Sequence, residues 1–292
     1  MVTLKTFRPY IYAGPYDKSA FIAPPYDIIS AADQKTLYRR HKRNVVRLVL
    51  GRKYPSDDGR RNSFSRAADF FRRWREGKNI IRGEEGIFLL TQDFELSGKK
   101  YSRAGIVARL DWSKTSAESI IPHEKTHRKH RLDRSRLLKK LPVNFSPIFL
   151  ITEGVSRRIK KALTGAKKES FYSIPGEKAA LYRIQPKIGA ELLSFLGKKK
   201  FVIADGHHRL RVSRENFEKD GSAKYLMVYI CDFSDESCVI LSHDDRKTTL
   251  DKNKIREVLK TGKLMRQKST FFWPKLPSGL LMHPVKEDRY EK

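Results

Sequence analysis

Cysteine is scarce in this 292-residue chain: Cys231 and Cys238 are its only two, seven positions apart. With no second pair there is no four-cysteine zinc cage, and two thiols do not make the disulfide framework of a small secreted scaffold. No apolar run approaches the length of a membrane span, and the first residues lack the apolar core of a signal peptide. The protein is therefore expected in the cytoplasm, with no membrane partner. Also missing are G-x-S-x-G, G-x-G-x-x-G behind a strand, and G-x-x-x-x-G-K-[ST], so the common serine-hydrolase, dinucleotide and P-loop classes lose their support. Acid is short as well: 33 Asp+Glu stand against 62 Lys+Arg, a formal net charge of +29. Such an excess draws polyanions and nucleotides and first suggests nucleic acid. It is most concentrated in residues 125–168, where fourteen Lys/Arg meet two acids. That run reads either as a solvated face or as a phosphate-lined entrance.

What is present describes a folded α/β protein. The apolar fraction is 39%, enough to bury a proper core in one large domain or two smaller ones. Near the N-terminus Pro24 and Pro25 stiffen a loop that holds Tyr26 and Asp27, and Ser30, with Asp33 in the first turn, caps a helix running to about His41. The apolar run from Asn44 to Leu50, stopped by Gly51, reads as a strand. Residues 62–77 place Phe64, Ala67, Ala68, Phe71 and Trp74 at helical spacing. Residues 86–96 and 101–110 form a hairpin across Ser97-Gly98-Lys99-Lys100. Further strands are expected at 146–152, 179–184, 225–232 (a central one) and 237–241, with helices at 155–166, 188–196 and 253–260.

The stretch that organises the chain is Lys200-Phe201-Val202-Ile203-Ala204-Asp205-Gly206-His207-His208-Arg209: a strand, a tight turn and a helix start. A helix N-terminus favours anions, phosphate above all. Gly206 lets the backbone approach a ligand, Arg209 offers a fork of donors, and Asp205 at the strand end is placed to bind Mg²⁺ or a proton. An ordinary strand-to-helix turn accounts for the same residues. His207 and His208 are neighbours and point different ways, so at most one meets a ligand through its side chain. Upstream, His123-Glu124-Lys125-Thr126-His127 matches H-E-x-x-H, but Pro122 and the surrounding cations argue against a helical zinc site.

Six blocks occur in order along the chain: Ala23-Pro24-Pro25-Tyr26-Asp27-Ile28-Ile29, Asn44-Val45-Val46-Arg47-Leu48, His123-Glu124-Lys125-Thr126, Asn144-Phe145-Ser146-Pro147-Ile148-Phe149, Ala204-Asp205-Gly206-His207-His208-Arg209, and Lys268-Ser269-Thr270-Phe271-Phe272-Trp273-Pro274-Lys275-Leu276. In this they resemble the domain-of-unknown-function 1015 family (DUF1015). The D-G-H-H-R block also resembles the nucleotide-binding turn of ParB/sulfiredoxin-like proteins, among them free-serine kinases that pair an H-E block with a D-G-H-H-R block. A sulfiredoxin-type redox function would need a cysteine where this turn has histidine.

The resemblance implies a ParB/sulfiredoxin-like nucleotide-binding core with a mixed sheet over residues 119–248, an N-terminal α/β portion over 1–118, and a C-terminal segment, 249–292, packing back on the core. It implies a kinase using Mg²⁺ and ATP or ADP to phosphorylate a small hydroxylated metabolite, free L-serine being favoured. Glu124 would take the proton from the substrate hydroxyl. Asp205 would hold Mg²⁺ or assist that base, and Gly206, His207, His208 and Arg209 would hold phosphates. Asn144 and Ser146 are candidates for substrate contact, although an N-x-S-P turn is also a structural Asx turn. The alternative is a basic ParB-like protein, switched by a nucleotide, that binds nucleic acid through residues 125–168 without kinase activity.

Overall fold

The computed structural model describes residues 1–122, 128–174, 176–242, 252–262, 270–273, 276 and 278–286. The chain opens with β1 (Leu4–Lys5) and β2 (Tyr10–Tyr12), then α1 (Ala31–Arg40), α2 (Val46–Val49), α3 (Ser63–Glu76) and β3 (Ile80–Arg82). Next come β4 (Phe88–Leu96), β5 (Lys99–Asp111), β6 (Ile120–Ile121), α4 (Arg128–Lys140), β7 (Val143–Asn144), β8 (Ile148–Thr152) and α5 (Ser156–Leu163). They are followed by β9 (Lys167–Ile174), β10 (Glu177–Arg183), α6 (Pro186–Gly197), β11 (Phe201–Asp205), α7 (His207–Asp220) and β12 (Tyr225–Asp232). The chain closes with β13 (Val239–Ser242), α8 (Lys252–Thr261), β14 (Thr270–Trp273) and β15 (His283–Pro284).

Nine strands form one mixed sheet in the order β6-β11-β8-β12-β5-β4-β10-β9, with β1 added beside β5. It draws strands from both sides of residue 118. The eight residues of β12 are all buried, parallel to β8 on one side and antiparallel to β5 on the other, so this strand is central as its apolar run predicts. Alternate side chains feed two cores. Phe149, Ile151, Tyr229 and Cys231 line one face, and Ile148, Leu150, Val228 and Ile230 line the other, against Leu192, Leu196 and Leu210 from the helices. A third core joins Tyr10, Phe21, Val46, Phe71 and Trp74 of the N-terminal segment to Leu137 and Leu141 of α4.

Local chemistry explains most elements. Ser30 Oγ accepts from Asp33 N at 3.1 Å while Asp33 Oδ2 accepts from Ser30 N at 3.1 Å, a reciprocal cap for α1. Asn62 caps α3 in the same way through Ser65. The hairpin turns on two residues, Ser97 (φ 50°) and Gly98 (φ 76°), both in the left-handed region, so β5 begins at Lys99.

One expectation needs correction. The run after Asn44 is the short helix α2, not a strand. Asn44, fully buried, accepts from Val46 N at 3.0 Å and donates to Ala20 O and Ile22 O, which bends the chain into a helical turn. A short apolar run is compatible with either state, and the side-chain cap decides it. Residues 128–140, read in the sequence only for their charge, form α4, and Leu137 and the following Leu141 reach the third core.

One polar cluster is sealed inside the sheet. Register sets Arg103 opposite Gln92, Gln92 opposite Ala179, and Ala179 opposite Tyr172, a row across four strands. Arg103, 1% exposed, donates from Nη2 to Gln92 Oε1 at 2.6 Å, and Gln92 Nε2 donates to Glu177 Oε1 at 2.7 Å. Tyr172 also donates to Glu177. The Arg103 guanidinium lies 4.8 Å from the centre of the Phe149 ring.

Candidate functional site

Strand β11 ends on Asp205 and the chain turns through Gly206 into α7. Glycine is required there twice over. Its φ is +95°, and a Cβ would lie 2.7 Å from Ile148 Cδ1 and 2.9 Å from Arg209 Nη2. Among the described residues no side chain caps α7, and its first intrahelical bond runs from Leu210 N to Gly206 O at 2.9 Å. The positive end of the helix dipole therefore points at the end of the strand. His207 is buried and His208 partly exposed, the divergence that neighbours on a helix must show.

Arg209 is the knot of this turn. Its Nη2 donates to Asp205 Oδ2 at 2.9 Å, and its Nη1 donates to Ser146 Oγ at 2.6 Å, Ser146 O at 3.0 Å and Pro147 O at 2.9 Å. It thus ties the β7–β8 loop to the start of α7. Ser146 lies at the site through this bond. Asn144 lies next to it on β7, where Nδ2 donates to the carbonyl of Tyr225 at 3.3 Å and the backbone pairs with His283.

Two side chains that sequence reasoning did not assign to the site complete it. Tyr26, from the proline-stiffened loop, and Arg134, from α4, stack with the guanidinium carbon 3.7 Å from the ring centre. Burial raises the Tyr26 phenol above its ordinary pKa, and the positive charges of Arg134 and Arg209 oppose the shift. The prolines before Tyr26 were the only local signal for it, and Arg134 is indistinguishable in sequence from the cations around it. Together with Asn144, Ser146 and Arg209 these residues border a cavity of about 60 Å³, lined further by Ser213, Ser278 and apolar side chains.

The sequence blocks build this site by supporting one another. Val45 N donates to Phe21 O at 2.7 Å, which holds the tyrosine loop, and Ser278 N donates to Ala23 O at 2.8 Å. Gly279 N donates to Phe145 O at 2.7 Å, locking the β7–β8 loop from the other side. Glu124, the expected base, lies outside the described residues together with the rest of the H-E-x-x-H match. Among the described residues no cluster of three or more His, Cys, Asp or Glu side chains is arranged as a metal cage. Magnesium does not require one, since it commonly takes one or two carboxylates and completes its shell with water and phosphate oxygens; Asp205 is the carboxylate at this turn, and its Oδ2 also accepts from Arg209.

Fold and site define a mixed α/β protein with a glycine-turned, cation-rich strand-to-helix site. A family model described as "Protein of unknown function (DUF1015)" matches residues 4–244, and the chain belongs to that family. No curated protein and no solved structure gives a significant match. Among the described residues no helix is long and apolar enough to cross a membrane.

Proposed function

We propose that the protein is a small-molecule kinase built on a ParB/sulfiredoxin-like nucleotide-binding core, transferring a phosphoryl group from ATP or ADP to the hydroxyl of a small metabolite, with free L-serine the favoured acceptor. The observation that carries this reading is the glycine-turned start of α7 behind Gly206, where no side chain among the described residues caps the helix, with Asp205 beside it and two arginines nearby. Phosphoryl transfer asks a protein for positioning and charge neutralisation, and such a turn supplies both.

In this reading the nucleotide phosphates lie against the first turn of α7, and Arg209 acts by holding that turn in shape. Asp205 would hold Mg²⁺, which when bound neutralises the phosphate oxygens. The acceptor oxygen attacks the terminal phosphorus and gives its proton to Glu124. A new O–P bond forms, the bond to the bridging oxygen breaks, and ADP leaves from ATP or AMP from ADP. The test is phosphorus NMR on the full chain with Mg²⁺, ATP or ADP and L-serine. A phosphomonoester signal that is absent with Glu124→Gln, while that variant still binds nucleotide, is the expected result. Tight nucleotide binding by the wild type without transfer would end the kinase reading.

A second reading, a nucleotide-switched protein that binds nucleic acid, draws on a different place. A cavity of about 570 Å³ between α3 and the C-terminal ends of α4 and α7 is rimmed by Arg72, Arg75, Lys139, Lys140 and Lys286, with Asp69 and Asp220 among them. Binding to a phosphate backbone there would weaken steeply with added salt, in proportion to the contacts made, whereas nucleotide binding at α7 would respond less.

A further inference from the structure

The two guanidiniums that border the small cavity differ in what they hold. Arg209 is committed to Asp205, Ser146 and Pro147. Arg134 has no acid. Both of its terminal nitrogens donate to one neutral acceptor, Val49 O, at 3.2 Å, and its Nε is buried without a hydrogen-bond acceptor among the described residues. None of the ion pairs among the described residues includes it. Withdrawal from water is costly for a charge unless an opposite charge or good acceptors replace the solvent. Burial accordingly pulls the Arg134 guanidinium below its ordinary pKa. The tyrosine ring on one side returns part of that cost and leaves the edge of the guanidinium for an anion.

The size of the space selects the anion. About 60 Å³ next to Arg134, with Ser146, Asn144 and Ser278 as polar walls, is far below the several hundred cubic ångströms that pockets for nucleotide-sized ligands occupy. It takes the oxyanion end of a ligand of few atoms. We propose that Arg134 binds the carboxylate of the acceptor, which makes the acceptor a small hydroxylated amino acid or hydroxy acid and not a neutral or purely cationic alcohol. The assignment rests on the kinase reading for the word acceptor; the binding itself is tested without turnover.

Isothermal titration calorimetry of the full chain with three probes does so. L-serine binds, and ethanolamine, which has the same hydroxyl and ammonium but no carboxylate, binds roughly 30-fold more weakly or worse, the factor expected when one partner of a desolvated charge pair is removed. Arg134→Gln weakens L-serine by a similar factor and leaves the weak ethanolamine binding where it was; Arg134→Lys recovers part of the loss. Equal affinities for L-serine and ethanolamine, no binding of L-serine, or unchanged L-serine affinity in Arg134→Gln overturns the proposal. So does tighter, Arg134-dependent binding of inorganic phosphate, which would put a phosphate where the carboxylate is assigned. The wild-type comparison needs no variant, so a misfolded variant cannot shield the claim. Failure of the kinase reading looks different: Arg134-dependent binding of L-serine would persist while no phosphoryl group moved.

Discussion

Two places in this molecule take a guanidinium out of water, and they treat it in opposite ways. At the β5–β4–β10–β9 end of the sheet, Arg103 is sealed in with its own partners, so that its charge reaches Glu177 through Gln92. At the other end, beside β11 and α7, Arg134 is stacked on an aromatic ring and makes no ion pair among the described residues, with Asp133 and Asp27 acting only from a distance. The first arrangement is self-sufficient and belongs to the framework. The second is completed, in the role proposed for it, by a ligand, and the residues around it come from α4, α7, β7 and the loops beside them. Among the described residues Nε is buried without a hydrogen bond in both arginines, so the difference lies at the terminal nitrogens: those of Arg103 lead to a carboxylate through Gln92, and those of Arg134 end on a neutral carbonyl.

The contrast is broken or sharpened by measurements of graded size. The largest effect is expected from Arg103→Leu, which leaves Glu177 and Gln92 uncompensated and should cost about 3–5 kcal/mol in urea unfolding. A midpoint near that of the wild type would remove Arg103 from the framework. Next comes Gly206→Ala: a positive φ and a 2.7 Å clash with Ile148 should cost about 1–3 kcal/mol, with nucleotide affinity falling alongside, and intact stability would mean that the turn relaxes freely.

Smaller again is a pH effect at Glu177. Its burial raises the carboxyl above the ordinary range, against the pull of Tyr172, Gln92 and Arg103. The folded state therefore holds this proton more tightly than the unfolded chain does. That contribution is full below the ordinary carboxylate pKa and is lost as pH rises through the raised value. Unfolding free energy measured from acid toward neutral pH should carry this falling component, and Glu177→Gln should flatten it; an identical slope in the variant would contradict the assignment.

Much of the framework was legible in the sequence because its signals are local. Ser30 and Asn62 cap the helices that follow them, Ser97-Gly98 turns the hairpin, and the four apolar residues before Asp205-Gly206 form a strand that meets a helix. What stayed hidden depends on partners distant in the chain. The run from Asn44 to Leu50 is as apolar as a strand, and only the Asn44 side chain reaching Ala20 and Ile22 makes it helical. β9 carries lysines and a glutamate because it is an edge strand, so its pattern is weak. The Arg103 network exists only in register across four strands. In the site, the turn itself could be read from Asp205 to Arg209, yet the partners of Arg209 lie more than sixty residues upstream, at Ser146 and Pro147. Arg134 sits in a run of cations, and its singular position follows from the Tyr26 ring a hundred residues away.

The smallest stability effect is therefore the most telling. Urea unfolding of Arg134→Gln tests most directly whether this cation belongs to a binding site or to the framework. A residue kept for a ligand adds little to the empty protein, since the loss of its stacking on Tyr26 and its bonds to Val49 O is offset by relief of an unmatched buried charge. A change within about 1 kcal/mol of the wild type is expected, well below that of Arg103→Leu. A loss as large as the one at Arg103 would make Arg134 a framework residue and contradict the distinction between the two ends of the sheet.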